Sequence, residues 1–177
     1  MNAKGRTLAE RSRTAAWRRS ICNLPYILMA AIGASALYFS FPEGAWQWLA
    51  PTLYLAYSVA GAFWLILFVC PYCACYGSAS CPSGHGMLAA KLRPRKSGGS
   101  FPKQFRKHIP VIVPLWLIPL VIGAVHLIGA FSWGLTALLV AFGADAFALL
   151  PMVSTRKGCA YCPQKANCPW MGGKCLP

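Results

Sequence analysis

The residues of this chain with the clearest capacity for chemistry are its cysteines. Nine occur in 177 residues, and eight of them form two groups of four. The first cysteine group is Cys70, Cys73, Cys75 and Cys81, and the second is Cys159, Cys162, Cys168 and Cys175. Each group opens with the pattern C-x-Y-C and contains a Cys-Pro pair, separated by five residues from the preceding cysteine. Paired thiols at this spacing are typical of sites where several sulfurs converge.

Four thiols on a short loop have four explanations: packing, disulfides, a metal site or a redox-active pair. Packing is disfavoured because loops rich in Gly, Ser and Pro offer little interior. Disulfides need an oxidising compartment, which the orientation argued below does not predict. Thiolates are soft ligands that select zinc or iron–sulfur clusters, and four cysteines satisfy either. The spacing does not choose between the metals, since neither group reproduces the bacterial C-x2-C-x2-C-x3-C-P run.

One tetrapeptide favours thiol chemistry instead. Cys-Pro-Tyr-Cys at 70–73 resembles the active site of glutaredoxin-like oxidoreductases, where a helix N-terminus stabilises the first thiolate. Here the tetrapeptide follows the C-terminal end of a predicted helix, where the helix dipole disfavours a thiolate. A membrane thiol-disulfide oxidoreductase using Cys70 and Cys73 is therefore an alternative hypothesis.

Long uncharged segments adjoin both cysteine groups. The chain is 57% hydrophobic and 11% charged, whereas soluble domains carry about 25% charged residues. Because about 20 apolar residues cross the hydrocarbon core, we predict spanning helices at about 21–41, 49–70, 109–131 and 133–153. The first is expected to be a retained helix, since its apolar run exceeds the roughly 7–15 residues of a signal peptide.

The charges predict how the helices are oriented. All 17 Lys and Arg lie in three segments, 4–19, 91–107 and 156–174, and none lies in the two short turns at 42–44 and 132–134. The chain has only three acidic residues, Glu10, Glu43 and Asp145. The positive-inside rule places these segments, both termini and both cysteine groups on the cytoplasmic side of a bacterial-type inner (plasma) membrane. It also accounts for the net charge of +14 without nucleic acid. The expected partners are membrane lipid and an acidic cytoplasmic redox protein or larger oxidoreductase complex.

An internal repeat underlies the predicted fold. Cys70 and Cys73 precede Cys159 and Cys162 by 89 residues, as Pro25 precedes Pro114. We predict an all-α integral membrane protein of four transmembrane helices arranged as two tandem hairpins, each followed by a cytoplasmic cysteine-rich lobe. The predicted segments are a basic tail (1–20), a first hairpin (21–70), a cysteine-rich lobe with a flexible basic connector (71–108), a second hairpin (109–153) and a C-terminal cysteine-rich lobe (154–177). Two lobes at equivalent ends should lie side by side, as an electron relay needs.

Two ionisable residues fall within the predicted spans. Asp145, about halfway along the fourth, is either functional or a protonated acid hydrogen-bonded to a neighbouring helix. His126, in the third, either contacts a quinone head group or is structural. We expect them at different depths and not directly paired. They are the candidate catalytic residues for the proton side of quinone chemistry. With no second intramembrane histidine, bis-histidine haem within one chain is excluded.

Further residues near the cysteines have two interpretations each. His85, just after Cys81, is a candidate substitute ligand. Cys22 is expected to be a packing thiol, and His108 an interfacial residue. Tyr72 and Tyr161, the matched tyrosines of the C-x-Y-C patterns, either shield a metal centre or anchor the chain at the interface.

The architecture over residues 20–177 resembles small polytopic membrane iron–sulfur proteins of periplasmic nitrate reductase and methylamine dehydrogenase systems, which also have four spans and cytoplasmic cysteine motifs. That resemblance implies electron transfer between quinol and a redox partner. The family's C-x3-C-P pairs and ferredoxin runs are absent here.

We therefore expect an electron-transfer subunit, part of an oxidoreductase complex, linking a soluble redox partner to the quinone pool. The eight grouped cysteines would hold metal centres, up to two [4Fe–4S] clusters, with zinc as the alternative. A non-catalytic zinc-stabilised scaffold or assembly factor is the competing hypothesis. Metal or thiol transport is a third, but it predicts paired cysteines inside the spans, where only Cys22 is found.

Overall fold

The described part of the chain is helical. The computed structural model describes residues 8–79, 81–159, 162, 168 and 169, and none of these lies in a β-strand. The α-helices of this part are α1 (Leu8–Ser40), α2 (Ala45–Phe68), α3 (His85–Leu92), α4 (Phe101–His108), α5 (Pro114–Gly129), α6 (Trp133–Ala144) and α7 (Leu150–Val153). Two 3₁₀ turns, Cys70–Tyr72 and Ile109–Ile112, and two π-helical segments, Asp145–Leu149 and Ser154–Gly158, extend them.

Consecutive helical elements merge into four spans. Ala16–Ser40, Ala45–Tyr72, Phe101–Gly129 and Trp133–Gly158 are each long and apolar enough to cross a membrane. The prediction of four such helices is confirmed. Gly44 lies in the turn between the first two spans and has a φ of +144°. A side chain would be strained at this φ, so the position favours glycine. Ser132 accepts a hydrogen bond from the Leu135 amide (3.5 Å) and begins the fourth span.

The structure differs from the prediction at two boundaries. The first helix begins at Leu8, inside the predicted basic tail, because Ala, Arg, Leu and Glu favour a helix and neither Gly nor Pro interrupts residues 8–24. The predicted flexible connector contains the end of α3 and most of α4. Helix α4 has Pro102 in its first turn, and the Phe101 and Phe105 rings lie 5.6 Å apart on one side.

The first span lies at the centre of the bundle. Helix α1 packs against α2, α5 and α6. The buried core between them consists of Met29, Ala34, Leu37, Tyr54, Leu115, Phe142 and Ala146. Tyrosine hydroxyls join the spans across it, because Tyr54 donates to the Leu115 carbonyl (2.9 Å) and Tyr26 to the Ser58 carbonyl (2.8 Å). These bonds fix the height of the second span, which carries the first cysteine group, relative to the first and third spans.

Candidate functional site

Both cysteine groups begin with the same backbone turn. The Cys73 amide donates to the Cys70 carbonyl (3.0 Å), and the Cys162 amide donates to the Cys159 carbonyl (3.1 Å). Each turn continues directly from the end of a span, the second for Cys70 and the fourth for Cys159. The sequence similarity of the two C-x-Y-C patterns therefore extends to their local hydrogen bonding.

The first group then folds back through a series of tight turns. The Tyr76 amide donates to the Cys73 carbonyl, and the Ser78 amide to the Cys75 carbonyl, both at 3.1 Å. The Gly77 amide closes the loop by donating to the Gly86 carbonyl (3.0 Å) at the start of α3. These bonds bring the backbone of α3 against the cysteine loop.

Six cysteines from the two groups surround one cavity, which we call the cysteine cavity. Its volume is about 260 Å³. Its lining includes Cys70, Cys73, Cys75, Cys81, Cys159 and Cys162, and also Cys22 and His85. Cys75 is 1% exposed, and its Sγ lies 3.6 Å from Cys162 Sγ. This contact joins the two groups directly.

Backbone amides point at two of the sulfurs. The Cys75 amide donates to Cys73 Sγ (3.4 Å), and the Gly86 amide donates to Cys81 Sγ (3.3 Å). Hydrogen bonds to a charged acceptor favour its charged form. The two amides are therefore placed to stabilise thiolates, the form that binds a metal.

Burial opposes ionisation of the thiols when no cation is present. It is the main reason that the pKa values of Cys73 and Cys75 lie above their ordinary value. Burial, followed by repulsion from Cys168 and Cys162, raises the pKa of Cys159 to about 11. Burial also lowers the pKa of His85, which favours the neutral imidazole that can act as a ligand. A bound cation would favour the thiolate form of these cysteines over the protonated thiol, and its binding would release their protons.

The spacing of the thiols bears on what they can hold. Among the described residues, no three His, Cys, Asp or Glu side chains are grouped closely enough to hold one metal ion. Sulfurs around a tetrahedral zinc would be about 3.8 Å apart, given a Zn–S distance of about 2.3 Å. The Cys75–Cys162 contact of 3.6 Å is close to this spacing, but no third ligand joins it among the described residues.

Of the remaining cysteines and tyrosines of the two groups, two are described and neither lines the cysteine cavity. Cys168 lines a neighbouring cavity, not the cysteine cavity. Cys175 and Tyr161 lie outside the described residues. The Tyr72 ring lies against Lys96, whose Nζ is 5.9 Å from its centroid, and Tyr72 is not among the residues that line the cysteine cavity.

Sequence reasoning underestimated Cys22. It was expected only to pack, yet it lies on the wall of the cysteine cavity, and a side chain added at Gly158 would stand 3.8 Å from its Sγ. The available signal was its position near the end of the first span that meets both cysteine groups. One helical turn before it, Arg19 lies against Gly84, and one residue after it, Asn23 donates to the Ser83 carbonyl (3.1 Å). The N-terminal end of the first span is therefore part of this site.

The basic connector is held against the second span. The Tyr76 hydroxyl donates to the Arg93 carbonyl (2.6 Å), and the Arg93 guanidinium lies 5.1 Å from the Phe68 ring centroid. His108, predicted to be interfacial, accepts a hydrogen bond at Nδ1 from the Trp64 indole (3.2 Å). These contacts hold the connector beside the Phe68 and Trp64 rings of the second span.

The two ionisable residues within the spans do not join the cysteine cavity. Asp145 is 5% exposed, and neither carboxyl oxygen has a hydrogen-bond partner among the described residues. The expected alternative of an acid bonded to a neighbouring helix is therefore not found there. It follows that Asp145 and His126 form no hydrogen bond with each other. His126, in α5, is half-buried.

Comparison of the chain with protein-family models, with curated proteins and with solved structures finds no match. The functional argument therefore depends on the geometry of the cysteine cavity and its surroundings.

Proposed function

We propose that this chain is a membrane-embedded electron-transfer subunit whose two cysteine groups together hold one iron–sulfur centre. The observation that supports it is the cysteine cavity, where six thiols from sequence-distant groups surround about 260 Å³. Two amide-to-sulfur hydrogen bonds and the 3.6 Å contact between Cys75 and Cys162 add to it. A centre shared between the groups would take ligands from both.

The proposed centre supplies one-electron transfer when bound. The protein's part is to present thiolates, orient them with the Cys75 and Gly86 amides, and keep water away through buried neighbours. For each quinone reduced to quinol, a soluble partner supplies two electrons and water supplies two protons; quinol oxidation follows the same balance in reverse. The subunit would link that partner to the membrane quinone pool.

The orientation proposed for the chain sets the partner's side. Both termini and both cysteine groups face the cytoplasm of a bacterial-type inner membrane, as the positive-inside rule favours. The two halves are tandem hairpins, each followed by a cysteine-rich lobe. The positive charge of Arg93 and Lys96 beside the first group suits an acidic redox protein or complex. Lipid head groups would contact the remaining basic residues.

Metal analysis of the anaerobically purified chain tests the proposal. One shared cubane cluster predicts about four irons and four sulfides per chain, with a visible charge-transfer band. A shared centre also predicts that Cys75→Ser and Cys162→Ser each remove all of the iron. Separate centres predict that each variant keeps about half. Tyr72→Phe, whose ring lies outside the cysteine cavity, is the matched control and should keep the full content.

Stoichiometric zinc without iron would reject the electron-transfer proposal. It would favour the competing function, a zinc-stabilised scaffold or assembly factor, because zinc has no redox chemistry.

One contact favours a second candidate function, thiol–disulfide exchange. The sequence pointed to Cys70 and Cys73, but the sulfurs in contact are those of Cys75 and Cys162. Joining them as a disulfide releases two protons and two electrons, which a membrane quinone would accept. Peptide mapping without reductant, after incubation with quinone under argon, tests this candidate. A Cys75–Cys162 linked peptide in a metal-free protein would support exchange, and two free thiols would exclude it.

A further inference from the structure

A second cavity adjoins the cysteine cavity. It has a volume of about 270 Å³, and the two cavities share Ser154 and Cys159 as lining residues. Its other walls come from the first, third and fourth spans and from α4, through Tyr26, Phe105, Trp116 and Leu150. We call it the aromatic cavity, after the three rings among these residues.

The size and lining of the aromatic cavity limit what it can take. An apolar cavity of about 150 Å³ is large enough to bind benzene, so about 270 Å³ accommodates one substituted six-membered ring. It does not accommodate a long isoprenoid chain as well. The aromatic cavity is partly open, so a tail attached to the ring can extend outside it. Aromatic walls favour a flat ring through offset or edge contacts.

We infer that the aromatic cavity binds the head group of a membrane quinone, with its isoprenoid tail outside. The ligand class rests on the proposed electron-transfer function. Because Cys159 and Ser154 belong to both cavities, the ring would lie one side chain away from the cysteine cavity. Neither His126 nor Asp145 lines the aromatic cavity. The inferred head-group site is therefore distinct from the residues that the sequence suggested for quinone chemistry.

Two tryptophan substitutions within α7 test the site. Leu150 lines the aromatic cavity, whereas Met152 does not line it and is 45% exposed. We expect Leu150→Trp to fill the cavity and weaken binding of a short-tailed benzoquinone at least tenfold, measured by titration calorimetry on the full chain in detergent. Met152→Trp should change the affinity less than twofold. Iron content and helical circular dichroism are measured on the same samples.

A second pair of variants tests the same site if Leu150→Trp does not fold. Phe105 lines the aromatic cavity and Phe101, its neighbour in α4, does not. Phe105→Ala should weaken quinone binding about threefold or more, since it removes one aromatic wall. Phe101→Ala should leave binding within twofold.

The outcomes separate this inference from the proposed function. Iron in the protein with no saturable quinone binding, or with equal binding in Leu150→Trp and Phe105→Ala, overturns the inference and leaves the cysteine centre intact. A phospholipid that co-purifies with the wild type, is absent from Leu150→Trp and blocks the quinone also overturns it. Quinone binding lost selectively in these two variants of an iron-free protein supports the site while rejecting the electron-transfer centre.

Discussion

At the residue scale, the first cysteine group depends on a residue without a side chain. A Cβ at Gly86 would lie 2.2 Å from the Cys75 carbonyl oxygen and 3.3 Å from Cys81 Cβ. The obstacle is backbone, which cannot rotate away as a flexible side chain can. The same residue donates its amide to Cys81 Sγ. Its position decides both the path of the loop and the orientation of one sulfur.

We predict that Gly86→Ala destabilises the protein by about 1–3 kcal/mol, because overpacking displaces the loop. Thermal unfolding in detergent measures the loss, and the Cys75 and Cys81 thiols should become more reactive toward maleimide. Gly98→Ala is the control, since nothing lies within 4 Å of the added carbon there. Equal unfolding temperatures for the two variants would contradict the close contact.

The half-buried Cys159 thiol predicts a pH dependence of the metal-free protein. Its pKa is raised from 9.0 to about 11, so the folded state holds the proton at pH values where the unfolded chain has lost it. The stabilisation is therefore complete below about pH 9 and is lost as the pH rises to about 11. We expect the unfolding temperature to fall by a few degrees over this range. Cys159→Ser should reduce this fall in unfolding temperature. If the fall is unchanged in the variant, other titrating groups cause it.

At the element scale, the bundle depends on a close approach of three helices at Gly33. A Cβ there would lie 2.7 Å from Tyr54 Oη and 2.9 Å from the Phe142 ring. The Tyr54 hydroxyl also donates to the Leu115 carbonyl, so a shift of its ring would disturb the third span too. Small residues permit such approaches between apolar helices. Gly33 therefore couples all four spans.

We predict that Gly33→Ala lowers stability by about 1–3 kcal/mol, because two aromatic side chains must move. Gly143→Ala, in α6, is the matched control, since nothing lies within 4 Å of its added carbon. Thermal unfolding of both variants in one detergent makes the comparison. A Gly33→Ala protein as stable as the control would mean that the helices separate there at little cost.

At the scale of the whole molecule, three span ends meet at the cysteine cavity. Cys22 comes from the first span, Cys70 from the second, and Cys159 directly follows the fourth. The turn at Gly44 joins the opposite ends of the first and second spans. This arrangement makes a sharp prediction about access from the two sides of a membrane.

We predict that Gly44→Cys is labelled by a membrane-impermeant maleimide in intact spheroplasts, and that Gly98→Cys is labelled only after permeabilisation. The reason is that the proposed orientation places the basic segments in the cytoplasm and the Gly44 turn on the opposite side of the membrane. The wild type, whose native cysteines lie on the proposed cytoplasmic side, is the control for background. Labelling of Gly98→Cys in intact spheroplasts would reverse the orientation and place the thiols in an oxidising compartment.

Sequence alone predicted the four apolar helices because length and hydrophobicity act locally. The turns at Gly44 and Ser132 were predictable for the same reason, since each depends on the residues beside it. The connector was less predictable. Its order comes from contacts with a distant helix, such as those of Arg93 with Phe68 and of Tyr76 with the Arg93 carbonyl, and composition carries no record of such contacts.

The sequence by itself determined that the chain has two similar cysteine groups, each following an apolar helix, because spacing and hydrophobicity are properties of the linear chain. Only the tertiary structure decided that Cys75 and Cys162, 87 residues apart, lie in contact, and that Cys22 and Gly158 share their cavity. The physical reason is that helix packing sets where span ends meet. That packing depends on side-chain shape, as at Gly33 and Tyr54, and not on any local pattern.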